Sequence, residues 1–248
     1  MLGEAFAALG QFDRAREYAD LAEVLGTPSE ELAAEVDFQD AYALYTAGDF
    51  DAAADVLYEV YTASPRGPRA AEALFWAADA AFRHGQAGHP RAFALAERNA
   101  QLYLQRFPLH RLADAGRYVL GWTYFKQGNF TQAADAFETF LAAYEVNLTR
   151  EAVPYAADAR LRLGDSYFAL GRYEFAIANY SRVRGRGEDY ALFQTAQARS
   201  AQGDLAMALS VYDRLLAEFP QSALKPEARF ARAQVLFQSE QYDAAIDA

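Results

Sequence analysis

Three histidines are the residues of this chain best suited to hold a metal ion, and their spacing argues against a metal site. His84 and His89 are five residues apart, and His110 lies further along the chain. Two histidines on one helix face would need a spacing of four residues. The chain has no cysteine, which excludes disulfides and thiolate ligands. We therefore expect no metal site and no cofactor.

Acidic residues are the other candidates for chemistry, and their pattern does not predict catalysis. Asp79 and Asp165 lie far apart in the chain and lack a partner of opposite role. Two carboxylates become an acid and a base only when their surroundings separate their pKa values. No nucleophile motif is present, and Gly185-Arg-Gly187 is too short to cradle a phosphate. We expect no catalytic residue, so the chain is predicted not to be an enzyme.

The elements that position these residues are marked by a recurring motif, Gly-x-aromatic-x-x-Ala. Apolar residues between its copies recur at spacings of three and four, which predicts helices. Glycine suits the left-handed residue that ends a helix. The aromatic side chain can then cover the turn, and the alanine lets two helices approach closely. The motif begins at Gly10, Gly48, Gly128 and Gly171, with looser copies at Gly203 and Glu240.

A motif at nearly constant spacing predicts a solenoid. We predict an all-α fold with about seven helix–turn–helix units in a single array over residues 1–248. A seventh turn is placed at Gly85, where Gly85 to Pro90 forms a longer turn. The first and last units are incomplete, so we expect a part of a longer array. The predicted units are about 1–27, 28–65, 66–108, 109–146, 147–187, 188–221 and 222–248.

The charge and hydropathy of the chain exclude two classes of protein. The net charge is -11, from 23 basic and 34 acidic residues, whereas a nucleic-acid-binding protein needs a basic face. We therefore expect no nucleic-acid partner. No run of 18 apolar residues occurs, so no membrane span is predicted in these residues.

Two segments resemble complete tetratricopeptide repeats. One runs from Leu120-Gly121-Trp-Thr-Tyr124 to Phe137, and the other from Leu163-Gly164-Asp-Ser-Tyr167 to Tyr180. The resemblance extends over the whole chain. It implies a right-handed superhelical solenoid, with a role as a non-catalytic scaffold that binds other proteins.

Narrower features resemble bacterial envelope proteins. The stretches 162–168 and 189–194 are similar to the large repeat proteins of the Bacteroidetes-type cell envelope. The Tyr-rich units that end in Phe-Pro are similar to the YbgF (CpoB) and BamD families of periplasmic repeat proteins. This resemblance implies a role in bacterial cell-envelope assembly, and it favours the periplasm or envelope over the cytoplasm.

The family resemblance also implies a binding groove on the concave face. In this family the groove is lined at fixed positions around a small residue in the middle of each first helix. Here those positions form an aromatic strip with acids beside it, which is suited to a basic or apolar partner segment. The predicted groove residues are Phe38, Tyr42, Tyr45, Phe75, Asp79, Phe82, Tyr118, Trp122, Phe125, Asp158, Asp165 and Phe168.

Other interpretations of these residues stay open at the level of sequence. The aromatic residues can instead pack between repeats, and the acids can form a solvated face. The carboxylate clamp of the family requires Asn and a basic residue on this face, and the groove positions carry neither. The chain could also be a self-associating structural subunit. A third alternative is a regulatory module of a larger protein whose catalytic domain lies outside this chain.

Overall fold

The structure, a computed structural model, describes residues 13, 16, 17, 30–147 and 153–247. Residues 1–123 form one compact unit and residues 124–248 form a second. The secondary structure of the described residues consists of helices joined by turns, with no strand. Their helices are α1 (Glu30–Ala47), α2 (Phe50–Ala63), α3 (Ala70–Gln86), α4 (Ala92–Arg106), α5 (Ala113–Lys126), α6 (Phe130–Asn147), α7 (Val153–Ala169), α8 (Tyr173–Tyr180), α9 (Glu188–Ala201), α10 (Leu205–Glu218), α11 (Lys225–Gln238) and α12 (Tyr242–Ile246).

These helices pack in consecutive pairs, which confirms the all-α repeat prediction. In the first compact unit, residues 1–123, α1 packs on α2 and α3 packs on α4, while α2 also contacts α3. The second unit continues the pattern from α6 to α12. The first helices of neighbouring pairs are also in direct contact; α1, for example, contacts α3. The predicted unit 1–27, with the motif copy at Gly10, lies almost wholly outside the described residues.

The motif glycines end the first helix of a pair. Gly48, Gly128 and Gly171 have φ of 85°, 78° and 70°, a left-handed conformation that costs little only for glycine. The turn is closed by two backbone bonds. The Gly48 N–H donates to the Tyr45 carbonyl at 3.1 Å, and the Asp49 N–H donates to the Leu44 carbonyl at 3.0 Å. These two hydrogen bonds satisfy backbone carbonyls that would otherwise be unpaired at the end of the helix.

The motif aromatic packs edge-on against an aromatic residue near the end of the first helix. The ring centroids of Tyr45 and Phe50 are 5.5 Å apart at 68°. Edge-to-face packing of this kind adds stability beyond the buried area. The same arrangement recurs for Phe125 with Phe130, Phe168 with Tyr173 and Phe237 with Tyr242, at 5.3 to 5.5 Å. Aromatics that the sequence assigns to a groove therefore also hold the turns together.

The predicted position of the turn at Gly85 is wrong by three residues. Gly85 lies inside α3, and the left-handed glycine is Gly88, with φ of 108°. A Cβ at Gly85 would meet the ring of Phe93 at 2.6 Å. Gly85 is therefore a point of close helix contact, and the longer loop before Pro90 moves the turn.

Each unit has its own apolar core. In the first unit Leu57, Leu74 and Tyr103 are completely buried. In the second, Tyr180 of α8 lies against Gly164 of α7 with its ring buried. Within the part of the chain that the structure describes, no helix is both long and apolar enough to cross a bilayer.

Candidate functional site

Four aromatic side chains of the first unit form one contiguous group, termed the aromatic cluster: Phe38, Tyr42 and Tyr45 of α1 and Trp76 of α3. The Phe38 and Tyr42 rings stack with centroids 6.0 Å apart, and Tyr42 and Tyr45 stack at 5.6 Å. Trp76 lies 5.1 Å from Tyr42 and 4.9 Å from Tyr45. Spacings of four and three place the α1 residues on one helix face.

The aromatic cluster is only partly covered. Phe38 is 5% exposed, whereas Tyr42, Tyr45 and Trp76 are half-buried. Because α1 and α3 are the first helices of neighbouring pairs, the open ring surfaces lie along the seam between two repeats. Large aromatic surfaces that keep a polar tip are typical of binding sites for other proteins.

Asp79 anchors one end of the aromatic cluster. It accepts hydrogen bonds from the Tyr45 hydroxyl and from Arg83 Nε, the latter at 2.6 Å. The Arg83 guanidinium also lies over the Tyr45 ring, 5.4 Å from its centroid. Burial and the adjacent carboxylate both raise the pKa of Tyr45. Burial lowers the pKa of Arg83, but the hydrogen bond to Asp79, the charge of Asp79 and the nearby Tyr45 together raise it overall.

The other end of the aromatic cluster carries a second ion pair. Arg69 donates to both carboxylate oxygens of Glu35, at 2.5 and 2.8 Å, and stands 5.1 Å from the Phe38 ring centroid. Burial would raise the pKa of Glu35, but its bonds to Arg69 and Gln39 lower it overall. Glu35 is therefore held as a carboxylate by a guanidinium of the next repeat.

Glu72, on α3 between these ends, is also paired. Arg111 donates to its Oε1 at 2.9 Å, and Arg69 lies 3.6 Å away. The acids beside the aromatic cluster are thus matched by arginines. These arginines lie outside the groove positions that the sequence predicts.

Three further groove predictions from the first unit fall inside the repeat stack. Phe75 packs against Tyr103 with centroids 5.6 Å apart, and Phe82 lies between Phe93 and Trp122. Phe75, Phe82 and Asp79 are at most 8% exposed. Close packing of adjacent helices covers most of the surface of these three residues. Tyr118 and Trp122 are half-buried.

The groove predictions in the second unit gather around Asp165. Its carboxylate accepts bonds from Arg162 at 2.5 Å, Tyr180 at 2.7 Å and Tyr190 at 3.1 Å. Burial raises the pKa of Asp165 even though these donors lower it. Burial and Asp165 together raise the pKa of Tyr180. The Asp165 side chain is 9% exposed, and Tyr180 and Tyr190 hold it from the neighbouring helices α8 and α9.

Two of the remaining predicted residues of the second unit, Phe125 and Asp158, lie beside Arg162. Its guanidinium lies 5.8 Å from the Phe125 ring centroid and 3.6 Å from Asp158. Phe168 packs on Tyr173 at the turn. Phe125 and Phe168 are half-buried.

The histidines fall into two separate places. The rings of His84 and His89 stack with centroids 4.1 Å apart, and His84 Nε2 is 3.5 Å from an Asp51 carboxylate oxygen. His110 Nδ1 is 2.9 Å from the Tyr103 hydroxyl. Over the described residues, no three potential metal ligands come together as a site.

Sequence reasoning missed Trp76 and the arginines around it. Trp76 lies between the positions that the family pattern marks, directly after Phe75. One signal was available, since Trp76 and Arg83 are spaced by seven residues on one face of α3, and Arg69 lies seven residues before Trp76 at the start of that helix. The pairing of Arg69 with Glu35 joins residues 34 apart, about one repeat, which no local pattern shows.

Comparison with known proteins agrees with this architecture. The family model described as "Tetratricopeptide repeat" matches residues 1–68, 38–103, 118–191 and 193–248. A tetratricopeptide repeat protein from Parabacteroides merdae is similar, with a TM-score of 0.63 and 16% identity over 86% of this chain and 76% of that one. The C-terminal part of a TPR repeat-containing protein from Cytophaga hutchinsonii is also similar, with a TM-score of 0.63 and 15% identity over 99% of this chain and 90% of that one.

A third solved structure, MamA, has a TM-score of 0.62 and 21% identity over 77% of this chain and 93% of that one. Likeness at these identities shows the fold alone. No curated protein matches the chain.

Proposed function

Because this chain belongs to the tetratricopeptide repeat family, we propose that it is a scaffold whose aromatic cluster holds a segment of a partner protein. Proteins of this family commonly hold other proteins together and are generally not catalysts.

The observation that carries the proposal is the open aromatic surface on the seam between α1 and α3. Tyr42, Tyr45 and Trp76 contact one another and remain half-buried. Rings locked by such contacts lose little conformational freedom when a ligand covers them, so more of the contact energy appears as affinity. Trp, Tyr and Arg are the residues most enriched at the energetic centres of protein interfaces.

A non-catalytic role fits the state of the buried acids. Asp79 and Asp165 each accept bonds from a tyrosine and an arginine. Carboxylates held by several donors stabilise the fold, and these are engaged in the packing of neighbouring helices.

A setting in the bacterial cell envelope is part of the proposal and rests on the sequence resemblance alone. The stretches 162–168 and 189–194 and the Tyr-rich units that end in Phe-Pro support it. Fractionation of cells that produce the protein tests this part, because recovery in the cytoplasmic fraction alone would contradict it.

Photo-cross-linking tests the binding surface without knowledge of the partner. A benzophenone amino acid replaces Tyr42 in one variant and the exposed Glu59 of α2 in a matched control. In cells that make the protein, we expect a defined cross-linked species from position 42 and none from position 59. Equal products from both positions would contradict the assignment of the surface.

Self-association is a second candidate function, and one specific observation favours it. Phe230 and Phe237 of α11 are 65% and 63% exposed, and Ile246 of α12 is 83% exposed. They line a cleft of about 300 Å³. Exposed apolar faces of this kind promote association. Light scattering tests this candidate, since Phe237→Asp should shift any dimer to monomer.

A further inference from the structure

We infer that the segment bound at the aromatic cluster combines apolar side chains with acidic ones, and that basic segments are disfavoured. This inference rests on the proposed function and adds the chemistry of the partner. It is opposite to what the net charge of -11 suggests, and it comes from the arrangement of the ion pairs.

In the ion pairs beside the aromatic cluster, the acid lies inside and the arginine faces solvent. The Asp79 side chain is 11% exposed while that of Arg83 is 49% exposed. Glu72 is 12% exposed while Arg111 is 70% exposed. At the far end Arg69 is 32% exposed and Glu35 is 19% exposed. A ligand approaching the aromatic cluster therefore meets guanidinium groups first.

The carboxylates are also occupied. Both oxygens of Glu35 accept from Arg69, and one oxygen of Asp79 accepts from both Tyr45 and Arg83. A guanidinium carries five N–H donors in a planar fork. The exposed Arg83 and Arg111 therefore have donors beyond those used in their ion pairs. A carboxylate of the partner can take these donors, whereas a lysine or arginine would be repelled.

The spacing on α3 sets the length of the segment. Arg69 lies directly before the first residue of α3, and Trp76 and Arg83 follow it in α3 at intervals of seven residues. Fourteen residues of helix span about 21 Å, a distance that about six or seven residues of extended chain cover. An extended segment with acids at its two ends would place its apolar centre over Trp76.

Fluorescence of Trp76 tests the charge preference directly. The chain has two tryptophans, so Trp122→Phe leaves Trp76 as the only one. The probes are two acetylated, amidated peptides, EPLFLPE and KPLFLPK, which differ only in their end charges. We expect the glutamate peptide to bind at least about fivefold more tightly at low salt. This factor corresponds to the largest contribution that one exposed ion pair usually makes. We expect the difference to shrink at high salt.

The outcomes separate this inference from the proposed function. Equal affinity, or tighter binding of the lysine peptide, would overturn the charge preference and leave the aromatic cluster as a binding surface. No change in Trp76 emission with either peptide would count against the inference and the proposed function together.

One arginine variant locates the effect. Arg83→Gln should reduce the advantage of the glutamate peptide to about twofold or less. The matched control is Arg106→Gln, at an exposed arginine that ends α4, which makes the same change in net charge. Circular dichroism checks that each variant is folded. An equal loss in Arg106→Gln would show a long-range charge effect and overturn the inference.

Discussion

Two glycines of the second unit should respond to alanine through different physical causes. Gly171 ends α7 with φ of 70°, and a Cβ there meets nothing within 4 Å. Gly164 lies inside α7, where a Cβ would run into the ring of Tyr180. The first substitution strains the backbone in open space, and the second overpacks a core in relaxed backbone.

The magnitudes follow from these surroundings. At Gly171 the left-handed conformation costs an alanine about 1–2 kcal/mol, reduced by about 0.5 kcal/mol because the unfolded chain also loses freedom. At Gly164 the helix preference of alanine contributes about 1 kcal/mol of stability. Displacement of the Tyr180 ring costs about 1–3 kcal/mol. We expect both variants to lose about 1 kcal/mol.

A second substitution separates the two causes. Tyr180→Leu removes the ring that an alanine at position 164 would strike. In that background, Gly164→Ala should stabilise the protein by about 1 kcal/mol, the helix preference alone. Gly171→Ala should cost the same in either background, since its strain does not involve Tyr180.

Urea unfolding followed by circular dichroism measures these free energies. Amide hydrogen exchange in α7 and α8 localises them, because repeat arrays need not unfold in a single step. The reasoning would be refuted if Gly164→Ala stabilised the protein while Tyr180 is present. It would also be refuted if Tyr180→Leu left the effect of that alanine unchanged.

Three further predictions concern single groups. Tyr45→Phe should cost about 1–2 kcal/mol in urea unfolding, because Asp79 loses a buried donor. Glu240→Gly should raise the unfolding free energy by about 1 kcal/mol, since Glu240 has φ of 60°; an unchanged value would contradict this. Burial lowers the pKa of His110 from 6.5 in the folded protein. The neutral imidazole therefore contributes fully to the free energy of unfolding above pH 6.5, and this contribution is lost as the pH falls through the pKa of the folded state. His110→Gln should therefore flatten the acid side of the stability profile, and an unaltered profile would count against it.

The repeat architecture was predictable because each turn has a local cause. The glycine supplies a left-handed residue, and the aromatic residue and the alanine pack within the same helix pair. Each six-residue copy of the motif is therefore sufficient to predict one turn. Gly85 shows the limit of this reasoning. It occupies the expected position, but the loop before Pro90 is longer and Gly88 takes the left-handed conformation.

The character of the binding surface was not predictable in the same way. The sequence shows Asp79 and Asp165 as acids on a helix face, and their arginine and tyrosine partners are found only once neighbouring helices pack. Arg69 reaches Glu35 from the next repeat, and Tyr190 reaches Asp165 across 25 residues. Beside the aromatic cluster, packing leaves the Asp79 side chain 11% exposed and that of Arg83 49% exposed, a difference that the residue types alone do not indicate.

The central claim is that the aromatic cluster holds a partner segment, and one affinity measurement tests it most directly. The partner recovered by cross-linking at position 42 is titrated against the wild type, Trp76→Ala and a control, Tyr58→Ala on the second helix α2. We predict that Trp76→Ala weakens binding by about 30-fold or more, as expected for an energetic centre of an interface, while Tyr58→Ala changes it less than about twofold. Equal affinities for wild type and a folded Trp76→Ala protein would contradict the claim.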